Sequence, residues 1–539
     1  MTSKTCLFVN GRIFTSNSNQ PYASAMIVRD GKVDWVGNEE DITGAEKAET
    51  IDLEGRRVLP GMIDAHLHPL YLAYAAKQVP ATPPVVKSLE DLKNELRKRR
   101  EQQQKGEWIE SWGFDEGKLK ENRGPNRWDL DEAVSDSPVV ATRTCAHIVV
   151  VNSCALELAG IDRDTKDPDG GEIERDENGE PTGVLKENAK DLLHDVMPVA
   201  TMEEDAEKLA DLSDTFLSYG ITGITELMAK TTPIDYLEMY EKAHEKGLKQ
   251  RTVIYYKWSD LQQSSVLNEE NTNKERDIHI GGIKVFSDGS ISGQTAWVKP
   301  GYINNEENEG IPITSEQELL DAAQEAKKHG VQLVVHAMGE QAIDLIVNTF
   351  YGVESWVKDG VSVRIEHASM PTKEALQKAS ESSIGFVPQP IFLYAEIESY
   401  LHNLGTERTK RTYPIRTMLE KGIPTALSSD APATPWAEPV NPFVGIKSAV
   451  TRYAHNGTDT GQNERIDLET AIKLYTKGAK EITQIPNVGE LKEGNYADFI
   501  VLDQDIFAVK PDDIDSISVE KTYMSGALVY QKQREKAQS

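Results

Sequence analysis

Polar and hydrophobic positions alternate at both ends of this chain and run as short unbroken apolar stretches through its middle. Near the start, Leu7-Phe8-Val9, Asn10-Gly11 and Arg12-Ile13-Phe14 read as strand, turn and strand, because Asn-Gly tolerates the positive φ of a two-residue hairpin. Ala25 to Val28, Asp30-Gly31 and Val33 to Val36 repeat the pattern. At the far end, Ala497 to Leu502 reads as a strand, and Lys521 to Met524, Ser525-Gly526 and Ala527 to Tyr530 as a hairpin. Two β-rich ends predict one small sandwich assembled from both termini.

The middle obeys a different rule. Short apolar runs at Met62 to Asp64, Ile221 to Thr225, Thr252 to Tyr256, Ile283 to Phe286, Gln332 to Val335, Val363 to Ile365, Ile384 to Val387 and Thr425 to Leu427 alternate with helical stretches. Strands buried on both faces read as continuous apolar runs, and their alternation with helices marks a parallel β/α barrel. Ser315 to His329 carries helix punctuation: a capping Ser, Glu three residues on, and Gly330 at the end. From Leu70 to about Val199 the chain is rich in charge, Gly and Pro, and reads as an insertion near the barrel mouth. The expected fold is α/β: a (β/α)8 TIM-like barrel with a small β-sandwich domain built from both termini. The expected division is 1–58 and 485–539 for the sandwich and 59–484 for the barrel, with the insertion at about 70–199.

Composition narrows the partners. At ~150 residues per domain, 539 residues would suggest three or four domains, but a barrel alone takes ~250. With 88 acidic against 59 basic residues the net charge is −29, which repels phosphate backbones and anionic lipid. No nucleic-acid or membrane partner is expected; a small-molecule substrate is, with at most a second copy of the chain as a homodimer. Three cysteines (Cys6, Cys145 and Cys154) make no disulfide framework. No run approaches the ~18 apolar residues of a membrane helix, and the first residues alternate like a strand instead of forming a signal peptide. The expectation is a cytoplasmic enzyme.

Candidate chemistry gathers at the ends of the apolar runs. In LPGMIDAHLHP (59–69), His66 and His68 are two apart, so an extended chain points both the same way and can offer both imidazoles to one ion. Alone, such a pair is more often two ordinary histidines. Lys284, between Ile283 and Val285, is costly to bury charged; it reads either as a snorkelling or ion-paired lysine or as one carboxylated at its amine. His336 follows Leu333-Val334-Val335, His367 follows Ile365-Glu366, and Asp430 follows Leu427-Ser428-Ser429. Each has a plain structural reading, a core histidine or a helix cap. Together, four His, one Lys and one Asp in or just after parallel strands point to a divalent metal site, because barrel enzymes act at the carboxyl ends of their strands. Nitrogen and oxygen ligands suit zinc, with manganese or iron as the alternatives.

These segments, with WGFDEGKL (112–119), PTGVLKENA (181–189), GGIKVFSDGSISGQTAW (281–297), VVHAMGEQAID (334–344), RIEHA (364–368), SSDAP (428–432) and GNYADFIVLD (494–503), carry a family likeness. The chain resembles the amidohydrolase superfamily, in particular amidohydrolase family 3 and its N-substituted formamide deformylase-like branch. The resemblance implies the barrel-plus-sandwich fold and one or two divalent ions per chain, with zinc the expected metal. It implies that His66, His68 and Asp430 hold one ion, that His336 and His367 hold the other, that a carboxylated Lys284 bridges them, and that Asp430 is the catalytic general base. His147, Asn152, Asp115, Glu187, Asp288, Trp297 and Gln389 are candidates for lining the substrate pocket, each with a structural role as the competing reading. Trp112, Phe114 and His147 are expected to close that pocket on a small apolar N-substituent. Gln294 stands where relatives are expected to carry Arg, which argues against an anionic substrate. The leading expectation is cleavage of an N-substituted formamide to a primary amine and formate. The alternatives are hydrolysis of another amide, carbamate or cyclic amide, and a non-catalytic scaffold or regulator.

Overall fold

The structure, a computed structural model, describes residues 5–45, 47–144 and 148–533. The chain forms two compact units: one from the residues up to Pro69, Leu209–Asp430 and those from Val440 on, the other from Leu70–Lys208 and Ala431–Pro439.

In the first unit, the two ends of the chain build two facing sheets. One runs Lys32–Gly37, Ala25–Arg29, Thr5–Val9, Glu49–Asp52; the other runs Ala527–Gln531, Val519–Met524, Phe499–Leu502, Arg57–Pro60, Arg12–Phe14, Tyr22–Ala23. Alternation along Thr5–Val9 sends Cys6 and Phe8 inward, where one apolar cluster joins them to Val58, Phe499 and Tyr523 of the other sheet. Asp30-Gly31 is the expected two-residue hairpin turn, with φ of 49° and 83° and Arg29 opposite Lys32. Asn10-Gly11 is not a hairpin. Thr5–Val9 and Arg12–Phe14 lie in different sheets, and the turn between them is a corner of the sandwich at which the Gly11 N–H bonds the carbonyl of Ser24.

The same unit holds a seven-stranded parallel sheet. In chain order its strands are β1 (Met62–Asp64), β2 (Ile221–Ala229), β3 (Arg251–Lys257), β4 (Ile278–Phe286), β5 (Gln332–Ala337), β6 (Val363–His367) and β7 (Ile384–Val387), each paired with the next. Helix Glu316–His329 precedes β5, capped by the Ser315 side chain and ended by Gly330 at φ 64°. The eighth expected run is not a strand. Thr425 makes a single parallel bridge to Phe386, and Leu427 turns away to bond the carbonyl of Leu474. The segment still fills the gap between β7 and β1, because the Asp430 N–H donates to the carbonyl of His66 at 2.7 Å. The ring is closed by irregular backbone, and that irregularity delivers Asp430, at φ 54°, beside His66.

The second unit has a sheet and core of its own. Its strand order is Gly171–Arg175, Pro181–Glu187, Ile148–Val151, Val139–Arg143, Ile109–Phe114, Val79–Pro80. Leu89, Leu92 and Leu96 lie on one face of helix Leu89–Gln102 and pack into a core with Ile109, Phe114, Leu130 and Val139. Among the described residues no helix is long and apolar enough to cross a membrane.

Candidate metal centre

Beyond the end of β1 the chain continues as Ala65-His66-Leu67-His68, with both histidines buried. Asp64 braces this turn: its Oδ1 accepts from the N–H groups of His66 and Ser429, each at 3.2 Å. His66 Nε2 and His68 Nε2 converge on Asp430 Oδ1, at 3.2 and 2.9 Å. The three candidate ligand atoms lie within 4.8 Å of one another.

Hydrogen bonding settles which ring nitrogens are available. His66 Nδ1 lies 2.6 Å from Glu366 Oε2, an acceptor, so Nδ1 carries the hydrogen and Nε2 keeps its lone pair. Asp430 Oδ1 is buried and accepts no well-formed hydrogen bond despite its two nitrogen neighbours. A lone pair aimed at a carboxylate oxygen in a buried site calls for a cation between them, so these residues fit a divalent ion. Burial opposes the charge on Asp430, yet His66 and His68 hold its carboxyl well below the usual range. Burial likewise opposes charge on His68, but Asp430 and Glu226 overcome it and push its pKa up to about 9. A proton on His68 and a metal ion are alternative answers to the same surplus of negative charge.

Next to this trio stand His367 and His336, with ring centroids 5.0 Å from His66 to His367 and 4.5 Å from His367 to His336. Gln389 is fully buried, and its Nε2 donates to the carbonyl of Val387 and to Ser428 Oγ. Its Oε1 therefore faces His367 Nδ1, at 2.7 Å, which leaves Nε2 of that ring as the free lone pair. His336 Nε2 donates to the Gly289 carbonyl at 2.9 Å, which leaves Nδ1. Burial pushes His336 down to about 3 and His367 well below its ordinary value, so both are neutral imidazoles, the form that binds metal. Lys284 is 1% exposed and forms no ion pair with any described carboxylate. Its Nζ lies 5.0 Å from the Phe286 ring centroid, and burial pushes its pKa down to about 8.

The remaining candidates scatter. Asp288 is buried near His336, its carboxylate accepting from the N–H groups of Trp297, Met338 and Gly339, so it staples two loops together; burial pushes its pKa up to about 7. Trp297 is half-buried and contributes its backbone to that staple. Asp115 caps a short 3-10 turn in the second unit, accepting from Gly117 N–H. Asn152 is fully buried there, its side chain bonded to the backbone of Val134, Ser137, Val139 and Ala155, and has nothing left for a substrate. Phe114 is packed in that unit's core. Glu187 is exposed at a strand end, and His147 lies outside the described residues. Gln294 donates to Asn403 Oδ1 at 2.7 Å. Sequence reasoning passed over Glu366, Arg364 and Glu226. The available signal was Arg364 and Glu366 alternating with Val363 and Ile365 in an otherwise apolar run, the same signal that exposed Lys284.

Residues 49–530 match the model of the amidohydrolase family. The putative amidohydrolase YtcJ of Bacillus subtilis is 31% identical over 97% of this chain and 98% of its own length. The N-substituted formamide deformylase of Arthrobacter pascens is 27% identical over 98% of each. The crystal structure of an uncharacterized metal-dependent hydrolase from Pyrococcus furiosus, 28% identical, covers 94% of this chain and 100% of its own with a TM-score of 0.73. The likeness runs along nearly the whole of this chain, and the chain belongs to the amidohydrolase family, as a hydrolase of carbon–nitrogen bonds.

Proposed function

We propose that this hydrolase cleaves N-substituted formamides to a primary amine and formate, at a centre where His66, His68 and Asp430 hold a divalent ion. The observation that carries it is the convergence of two imidazole nitrogens on a buried carboxylate oxygen that accepts no hydrogen bond. The substrate class is supported by the full-length likeness to the Arthrobacter deformylase. His336 and His367 would hold a second ion, and Lys284, carboxylated at its amine, would supply an anionic ligand, a role supported by its burial without an ion pair. The nitrogen and oxygen ligand set suits zinc.

A divalent ion held by His66, His68 and Asp430 would supply Lewis acidity, lowering the pKa of water from about 15.7 to about 7 and polarising the amide carbonyl. Asp430 takes the proton that the attacking water gives up and delivers it to the departing nitrogen. The water oxygen adds to the carbonyl carbon, the C–N bond breaks with its electron pair on nitrogen, and the delivered proton completes the amine. Glu366, Gln389 and the Gly289 carbonyl keep three imidazoles from turning, so the geometry is not rebuilt at each turnover. Gln294, engaged with Asn403, places no fixed cation in its loop, in keeping with an uncharged substrate.

An aryl formamide and the matching acetamide, assayed for released amine before and after chelation, test the reading. The formamide is expected to react much faster, because an added methyl needs room that a formyl hydrogen does not. Activity is expected to vanish on chelation and return with zinc. Equal rates, or turnover of a carbamate or cyclic amide with none of any formamide, would assign another amide substrate. Full activity after exhaustive chelation would overturn the metal centre.

A further inference from the structure

A barrel interior is ordinarily filled by layers of branched apolar side chains. This one departs from that rule on β6, where Arg364 and Glu366 are both completely buried. Desolvating an ion pair commonly costs as much as the attraction returns, and apolar residues of similar size serve stability equally well. The pair therefore calls for another explanation, and its contacts supply one.

Arg364 Nε lies 3.0 Å from Glu366 Oε1 and its Nη2 lies 3.2 Å from Oε2. That Nη2 also donates to the Ala65 carbonyl at 2.7 Å, one residue before His66. Glu366 Oε2 in turn takes the His66 Nδ1 hydrogen at 2.6 Å. Arg364 thus grips the His66 segment twice, directly at the backbone and through Glu366 at the ring. The guanidinium is itself immobilised. Its Nη1 donates to the Tyr255 hydroxyl at 2.8 Å, and that hydroxyl donates to Gln332 Oε1 at 2.9 Å. Gln332 Nε2 is anchored on the carbonyls of Val361 and Ile482.

We infer that Arg364 is a positioning residue for the metal centre, fixing Glu366 against His66 Nδ1 and thereby fixing the Nε2 lone pair on the ion. This rests on the reading of His66, His68 and Asp430 as metal ligands. A carboxylate on the far nitrogen of a ligating histidine sets its tautomer and raises its basicity, and losing such a partner typically weakens metal binding 10–100-fold.

A single substitution strands one buried charge and is expected to unfold the barrel, so the decisive variant removes both, Arg364→Met with Glu366→Leu. With zinc as the probe, competition against a chromogenic chelator should give a Kd raised roughly 10–100-fold, while the chelated variant melts no lower than chelated wild type. Arg364→Met with Glu366→Gln, which returns an acceptor to His66 Nδ1, should recover part of the affinity. In a His66→Ala background the Met/Leu change should not alter the Kd further. A double variant that binds zinc as tightly as wild type, or one whose loss persists in the His66→Ala background, overturns the inference. Should the double variant not fold, Tyr255→Phe decides: a smaller rise in Kd supports the inference and an unchanged Kd overturns it. Wild-type protein that takes up no divalent ion overturns the metal reading as well, whereas wild-type binding with an indifferent double variant overturns this inference alone.

Discussion

The sandwich core and the barrel interior are equally dry and are made of opposite materials. In the sandwich, Phe8 and Phe499 meet edge to face at 5.0 Å, and Phe499 stacks on Tyr523 at 4.5 Å. Each such side chain removed from water contributes roughly 1.5–3 kcal/mol. In the barrel, His66, Lys284, Arg364 and Glu366 are 0–1% exposed. Burial does not stabilise these groups; it pushes Lys284 down to about 8, and at Glu366 it is outweighed by Arg364 and His66, with Lys284 adding to them, so that the carboxyl sits at about 2. In one region burial is the source of stability. In the other it is the cost set against chemistry, and perturbed groups gathered at strand ends are what an active site requires.

The contrast can be broken at several points. The largest effect is expected from Asp430→Asn, which keeps an oxygen but loses the basic carboxylate. Steady-state turnover should fall on the order of 10²–10⁴-fold, with the urea midpoint of the chelated protein little changed. Near-normal turnover would reassign the proton transfer. Next comes Phe499→Ala, which leaves a cavity in the sandwich and should cost about 3–5 kcal/mol in urea unfolding, with turnover per folded molecule retained. Native stability with damaged turnover would erase the distinction between the regions. The smallest effect concerns His279, buried at the start of β4, where burial pushes its pKa down to about 4. A histidine held neutral in the folded state contributes stability that is complete above its unfolded pKa of about 6.5 and lost as pH falls from there toward 4. The full loss is roughly 3 kcal/mol, and His279→Gln should flatten that part of the acid limb in a melting-temperature series. An unchanged limb would assign the acid sensitivity to other groups.

The barrel was legible because strands buried on both faces leave continuous apolar runs, and seven of the eight runs are strands. Thr425 to Leu427 has the same pattern, but the residues after it turn to reach His66, and no local signal foretells that a strand will be given up for that contact. Asn10-Gly11 and Asp30-Gly31 look alike as turns; which one is a hairpin depends on the sheet each following strand joins, a long-range fact. The stretch from Leu70 to about Val199 read only as an insertion, because its charge and glycines mask Leu89, Leu92 and Leu96, whose helical spacing was the sign of a separate core. The histidines, Lys284 and Asp430 stood out as polar residues where apolar ones belong. Arg364 and Glu366 obeyed the same rule and went unnoticed beside His367, because a charged pair two residues apart looks like an exposed face until its burial is known.

Gly61 alone separates Arg57–Pro60 of the sandwich from β1, and its N–H is held by the carbonyl of Asp498. A side chain there would lie 2.3 Å from Thr222, so the passage from one sheet to the other is fixed in shape. The strand that flanks Arg57–Pro60 on one side is Phe499–Leu502, which leaves the ribosome hundreds of residues later. The segment bearing His66 and His68 is thus made long before it is secured. A nascent chain stopped short of Asp498 carries every candidate ligand and lacks the clamp that holds their strand, so competence arrives only after Asp498 has been added.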